Sequence, residues 1–240
     1  MARGMAKGEP VLVRAWTSVS GVFETMRAVD GRVPLLDRHL ARLRASAKAL
    51  GLHWSDDGRL GTQIDQHLAA KGTQRVRLDL LPSGETTVTV GPLPDNRPVR
   101  IALVPGYEPG TPPRHKLRDR THYEHAVTAA HALGADHPLL VSVDGRVGEA
   151  DHANLFAVID GRLVTPAPAG ILPGIARAMI VERLGAEECG VTITSLESAS
   201  EMFLTNALRG IIPVTTIDGR PCATGALTRE AATVLRSNER

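Results

Sequence analysis

The sequence predicts an α+β fold in two domains: a small N-terminal α+β unit at residues 1–104 and a larger C-terminal unit at 114–240, built on a mostly antiparallel sheet with helices around it. Three observations predict it. Strand-like and helical stretches alternate along all 240 residues without repeats or low-complexity tracts. Asp-Gly dipeptides, which favour tight hairpin turns, sit inside VSVDGRV at 141–147 and FAVIDGRLVTP at 156–166. No GxGxxG follows an early strand, so a doubly wound dinucleotide-binding sheet lacks its signature.

Residues 10–16 and 20–29 read as strands, the second closing on Asp30-Gly31. Leu36, Leu40, Leu43, Ala47 and Leu50 recur at helical spacing and Gly51 suits the C-terminal cap, which predicts a helix over 36–50. A second helix is expected at 60–70, closed by Gly72, and strands at 75–81, 86–90 and 99–104, with Pro82-Ser83-Gly84 as a hairpin turn. Pro105 to Pro113, with four prolines and two glycines, reads as the interdomain linker at 105–113. Beyond it come a helix at 120–133 stopped by Gly134, the two Asp-Gly hairpins, and a helix after Gly174. A strand at 191–195, a short helix at 196–201, a strand at 202–205 and a final helix from Thr228 complete the chain.

Composition narrows the function. At 42% hydrophobic residues and a net charge of +2, the chain can bury one large core or two modest ones. There is no 18-residue apolar run, and MARGMAKGEPVLVRAW lacks the apolar core of a signal peptide, so neither a membrane span nor secretion is expected and the predicted compartment is the cytoplasm. Cys189 and Cys222 are too few for a disulfide framework and read as reduced thiols. All but four of the 28 basic residues are arginines, scattered among acids and not interleaved with aromatics, which argues against a nucleic-acid face. His115, His122, His125 and His131 lack an i, i+4 pair with a third ligand, so no metal is expected at them.

The chemistry concentrates between Val143 and Arg177. The Gly/Pro-rich GILPGIAR runs straight into an amphipathic segment, and the unpaired N–H groups at such a loop-to-helix junction lie at the positive end of the helix dipole, where they suit a phosphate. Upstream, among small residues, sits the acid Glu149, five positions before Asn154. A phosphate cup beside a buried carboxylate suits a phosphorylated aromatic cofactor whose ring nitrogen must stay protonated. Pyridoxal phosphate needs both, together with a Schiff-base lysine. Of the four lysines, Lys7 lies in the N-terminal tail, Lys48 on the exposed face of a helix and Lys71 beside a helix-ending glycine, which leaves Lys116, just past the Pro-rich stretch.

The segments GVFETMR, HLARLRASAKAL, HKLRDR, GEADHANLF, GILPGIAR and FLTNALRGIIPV, in that order across nearly the whole chain, resemble the fold-type IV, class IV pyridoxal-phosphate aminotransferases. That group includes branched-chain aminotransferase, D-amino acid aminotransferase and aminodeoxychorismate lyase. The resemblance implies a barrel-like C-terminal sheet, a homodimer with its active site at the subunit and domain boundary, and transfer of an amino group between an amino acid and a 2-oxo acid. Elimination of pyruvate from an aminated chorismate derivative is the alternative, toward which NALRG leans. A relative that has lost catalysis would keep the fold as a binding or scaffold protein.

By the same resemblance Lys116 would carry the Schiff base and shuttle the proton, and Glu149 would pair with the pyridine nitrogen. Arg42 and the backbone N–H groups of Ile175 and Ala176 would hold the phosphate, the competing reading of Arg42 being a helix-face partner of Asp37 or Glu24. Asn154 would brace the Glu149 loop within the cofactor site, and Arg77 would meet the substrate carboxylate. Two departures stand out: Ala207 replaces a phosphate-binding Ser or Thr, leaving Thr205 or a water as the substitute, and Thr121 replaces a Tyr that binds a cofactor oxygen, with Tyr123 two positions on.

Overall fold

Strict alternation in VFETMRAV builds the first sheet. In the computed structural model, which describes residues 20–54, 56–109 and 114–237, β1 (Val22–Val29) pairs antiparallel with β2 (Thr73–Leu80), and β2 with β3 (Thr86–Gly91). The strand expected at 10–16 lies outside the described residues. Register places Val22, Met26 and Ala28 with Val76, Leu78 and Leu80 on one face, where α1 (Leu36–Ala49) lays down Leu40, Leu43 and Ala47 and α2 (Asp57–Asp65) adds Leu60 and Ile64. Both helices are amphipathic in the sense their spacing predicts. Helix α2 starts and stops earlier than expected, because Asp56 accepts from Arg59 N at 3.1 Å and so caps the chain one turn upstream of Leu60.

The second sheet begins with β4 (Val99–Pro105), which sequence alone put with the N-terminal unit. It pairs parallel with β5 (His137–Val141) and with β11 (Gly210–Ile217), inside the larger sheet. The reason is burial on both faces: Val99 and Ile101 join the main core, while Ala102 and Val104 pack under α3 (Thr121–Ala132). A run that is apolar on both sides suits the middle of a covered sheet, not the edge of a three-stranded one.

The remaining elements are β6 (Val147–Ala150), β7 (Asn154–Ile159), β8 (Arg162–Pro166), α4 (Ile175–Leu184), β9 (Glu187–Cys189), α5 (Ile193–Glu197), β10 (Glu201–Asn206), β12 (Arg220–Pro221) and α6 (Ala226–Ser237). The sheet runs β6-β5-β4-β11-β10-β7-β8-β9, with β12 on β11. Five of its pairings are antiparallel and three parallel. β6 and β7 lie five strands apart in this order, yet only residues 151–153 join them. A flat sheet would separate them by roughly 24 Å, beyond the roughly 14 Å that four peptide steps can span. The sheet therefore curls until its β6 edge meets β7, and Glu149 and Asn154 flank the turn at the meeting point.

Local chemistry decides two further details. Asp160-Gly161 and Asp218-Gly219 both adopt positive φ at both residues, as hairpin turns that match the strand twist require. The strand expected at 191–195 is instead the start of α5: Thr192 Oγ1 accepts from Ser195 N while Ser195 Oγ accepts from Thr192 N, a reciprocal cap that outweighs the β-branched pattern of VTIT. The strand falls at β9, a few residues earlier. On the other face of the sheet Phe156 and Phe203 stack with centroids 5.1 Å apart, under α4 and α6. None of the described helices is long and apolar enough to cross a membrane.

Candidate active site

The Lys116 main chain extends the first sheet. Its carbonyl accepts from Phe23 N at 2.9 Å and Leu117 bridges to Val22, so the lysine is fixed against β1. Its ammonium lies 4.8 Å from the centroid of the Phe23 ring. The side chain is partly buried, and its pKa is pulled down to about 8, first by desolvation and then by the charge of Arg42; Arg120 acts in the same sense, while Glu24 and Glu149 oppose it. Those four charges come from β1, α1, β6 and the start of α3, so Lys116 sits where the two sheets face each other.

Glu24 points from β1 into the core beneath α1 and is 1% exposed. Arg42 Nε and Nη2 donate to its two oxygens at 2.7 and 2.6 Å, and His39 Nδ1 lies 2.9 Å from Oε2. Burial pushes the Glu24 carboxyl up, but Arg42 and His39 together hold it down at about 2. The remaining Arg42 nitrogen, Nη1, donates to Pro173 O at 2.9 Å, in the loop before α4. The pairing with Glu24 is therefore present, and it aims Arg42 at the GILPGIAR loop.

Helix α4 opens at Gly174 with no side-chain cap, so the first-turn amides of Ile175 and Ala176 have no partner within the helix. Gly174 is required there, since a Cβ would collide with Asn154 Oδ1. Asn154 in turn donates from Nδ2 to Glu149 Oε2 at 3.2 Å and to Leu172 O at 3.0 Å, tying the carboxylate to the same loop. Arg177, one residue beyond Ala176, turns inward to Pro166 O and Glu188 and fastens α4 to β8 and β9.

Glu149 is buried, accepting from Tyr123 Oη at 2.8 Å on one oxygen and from Leu172 N at 2.9 Å on the other. All three of its donors are neutral, and among the described residues no ion pair reaches it. Desolvation accordingly raises its pKa, against the pull of those hydrogen bonds and of the more distant Arg114 and Lys116. Burial beside Glu149 also raises the Tyr123 phenol, which stays a donor. Arg120 stacks on the Tyr123 ring, its guanidinium carbon 4.1 Å from the centroid, and donates to Asp151 O.

These groups fit a phosphorylated pyridine: a buried carboxylate without a cation at one end, an arginine with free helix amides at the other, and a lysine with a weakened proton between them. The model of the class IV amino-transferase family matches residues 21–217. The chain belongs to that family. Its members are pyridoxal-phosphate enzymes. A probable branched-chain-amino-acid aminotransferase of Thermotoga maritima is 31% identical over 208 residues, covering 80% of this chain and 76% of the relative. A putative aminodeoxychorismate lyase of Schizosaccharomyces pombe is 27% identical over 203 residues, covering 80% and 87%. Among solved structures, a putative 4-amino-4-deoxychorismate lyase of Legionella pneumophila superposes with a TM-score of 0.81 at 24% identity, covering 92% of each chain. The fold is thus that of the fold-type IV enzymes, as the motifs implied.

Arg77 lies on the face of the small sheet that carries Phe23, its guanidinium carbon 3.8 Å from the centroid of that ring. Its Nε and Nη2 both donate to Asp79 at 2.7 Å, so a substrate carboxylate would have to share it with Asp79. Thr205 is no stand-in for the hydroxyl absent at Ala207: it is buried and donates to Gly210 O across the β10–β11 turn. That turn is instead shaped by Asn206, whose Oδ1 accepts from Leu208 N and Arg209 N. His115 meets Ser46 and His131 meets Asp136 O, while His122 meets Arg114 and sets its ring edge-on to Tyr123. What the sequence did not reveal is the Glu24–His39–Arg42 cluster as a unit and the grip of Tyr123 on Glu149. An acid in the buried phase of VFETM is the signal that pointed to the first.

Proposed function

We propose that this class IV enzyme is an aminotransferase that moves an amino group between an amino acid and a 2-oxo acid, with Lys116 as its catalytic residue. The observation that carries the proposal is the placing of Lys116, fixed against β1 with its ammonium 4.8 Å from the Phe23 ring centroid, among two arginines and two buried carboxylates that, with burial, draw its pKa to about 8. Pyridoxal phosphate, when bound, supplies an aldehyde that condenses with amines and a ring that takes up the electron pair left at a substrate carbon.

The chain supplies the rest. With its proton weakened, Lys116 would hold the cofactor's aldehyde carbon, and its amine would take a proton from the substrate and return it. Glu149 would pair with the pyridine nitrogen and keep a proton there, and Asn154 and Tyr123 hold its two oxygens in place. Arg42 binds the phosphate together with the amides of Ile175 and Ala176, while Glu24 and His39 fix the guanidinium. Arg77 takes the substrate carboxylate, with Asp79 as the competing acceptor. The active unit in this proposal is a homodimer, which sedimentation at micromolar concentration tests.

The second reading is pyruvate elimination from an aminated chorismate derivative, favoured by the lyase-named relatives and by the NALRG turn. One experiment separates the possibilities. The purified protein is loaded with pyridoxal phosphate and given amino donors against pyruvate and 2-oxoglutarate, beside an aminodeoxychorismate assay. Amino transfer supports the first reading, and pyruvate release without transfer replaces it with the second. A protein showing no borohydride-sensitive visible band would be a relative that has lost catalysis.

A further inference from the structure

We propose that His137, Asp151 and His152 form a site for a divalent cation of the zinc class, which clips the turn that follows Glu149 to the start of β5. The three side chains come from two places that the antiparallel pairing of β5 with β6 sets side by side, Leu139 lying opposite Ala150: His137 from the first position of β5, and Asp151 and His152 from the three-residue turn between β6 and β7. Each offers one ligand atom, and the three atoms lie within 4.8 Å of one another. His137 Nδ1 is 3.2 Å and His152 Nδ1 2.8 Å from the same Asp151 oxygen. Bonds of about 2.0–2.1 Å to a tetrahedral ion set its ligands roughly 3.3 Å apart, so small side-chain rotations bring these atoms onto three corners of a tetrahedron.

Hydrogen bonding alone leaves the cluster unfinished. His152 Nδ1 is placed to bond Asp151, but His137 Nδ1, shut off from water, reaches the same oxygen only in a poorly aligned contact of 3.2 Å. As a donor it is poorly aligned, and as an acceptor it would turn its lone pair toward a carboxylate oxygen. A cation among the three removes both difficulties, because it accepts the lone pairs of the two imidazoles and neutralises the acid. The imidazole rings already converge, with centroids 4.3 Å apart. Two nitrogens and one carboxylate oxygen suit zinc, cobalt or nickel rather than magnesium or calcium, and a water would complete the four-coordinate shell. Asp151 follows Glu149 by two residues, so the ion would hold the base of the cofactor hairpin without taking part in the reaction.

The test uses the full chain, loaded with pyridoxal phosphate, free of any polyhistidine tag and stripped with a chelator. It is then equilibrated with Zn²⁺ or Co²⁺, and bound metal per chain is measured with the d–d band of four-coordinate cobalt. One ion per chain is expected, together with a higher melting temperature in zinc. His137→Gln and His152→Gln should each weaken cobalt binding by roughly a hundredfold or more, at least the effect of losing a group that merely supports a ligand. His125→Gln, on the exposed side of α3, should change nothing. Asp151→Asn keeps a hydrogen-bond acceptor for the imidazoles but removes the charge, so it guards against variants that fail to fold: it should melt near the native temperature without metal and lose the response to zinc. Metal well below one per chain overturns the proposal, as does cobalt binding that His137→Gln, His152→Gln and Asp151→Asn leave unchanged.

Discussion

Two buried carboxylates flank Lys116, and their surroundings push them in opposite directions. Glu24 has a guanidinium on both oxygens and an imidazole beside one, and its pKa falls to about 2. Glu149 has a phenol, an amide and a backbone N–H, all neutral, and its pKa rises. The first acid is complete within the protein and serves to aim Arg42. The second is held in position yet lacks a positive partner, which a protonated ring nitrogen would provide. Burial alone therefore does not mark a functional acid; the sign of its nearest donors separates a support from a site.

The largest effect is expected at the residue between them. Lys116→Ala should abolish turnover while the protein still melts cooperatively, because no other described lysine approaches the site. Amino transfer by this variant at a measurable fraction of the native rate would remove Lys116 from the mechanism. Next comes Glu149→Gln, which should retain bound cofactor but slow turnover by about 10²-fold or more, since a neutral amide cannot hold the ring proton. The same change should raise the melting temperature of the cofactor-free protein at neutral pH: a carboxyl whose folded pKa is raised favours the fold below its unfolded pKa and loses that contribution as pH rises through the folded value. A near-native rate, or a cofactor-free protein made less stable, would make Glu149 a structural acid like Glu24.

Glu24 should behave in the opposite way. Its folded pKa lies below its unfolded one, so its contribution is present above about pH 4.5 and is lost as pH falls toward 2, amounting to about 3 kcal/mol over that window. Glu24→Gln should flatten this acid limb in a series of melting curves, and an unchanged limb would mean that Arg42 does not hold Glu24 ionised. The smallest effect concerns the phosphate end. Ala207→Ser should add one hydrogen bond to a charged acceptor and tighten cofactor binding about five- to tenfold, whereas Arg42→Ala should weaken it by more. Titration of cofactor-free protein at fixed ionic strength checks both. If only Arg42→Ala has an effect, residue 207 does not face the phosphate.

Much of this molecule is local chemistry, and local chemistry is legible in sequence. The periodicity of Leu36 to Leu50 yields α1 and its buried stripe, the Asp-Gly pairs yield turns with positive φ, and Gly174 before an uncapped helix marks open amides. The spaced motifs pointed to the family. Where two local preferences competed, the pattern misled: Thr192 and Ser195 cap each other into a helix where VTIT had suggested a strand. Asp56 likewise moved the start of α2 through a single side-chain cap.

What only the tertiary structure decided depends on contacts distant along the chain, for which a single sequence carries no periodic signal. Whether β4 belonged to the first sheet or the second depended on its parallel pairing with β5 and β11, 36 and more residues away. The identity of Glu24 as the holder of Arg42 required β1 to lie under α1, and the hold of Tyr123 on Glu149 required α3 to reach the β6 hairpin across 26 positions. His137 meets Asp151 and His152 because β5 pairs antiparallel with β6, Leu139 opposite Ala150, which sets the start of β5 beside the residues just after β6. Sequence specified which groups were available and the elements that carry them; the packing of helices on the first sheet and the closing of the second determined which charges face one another.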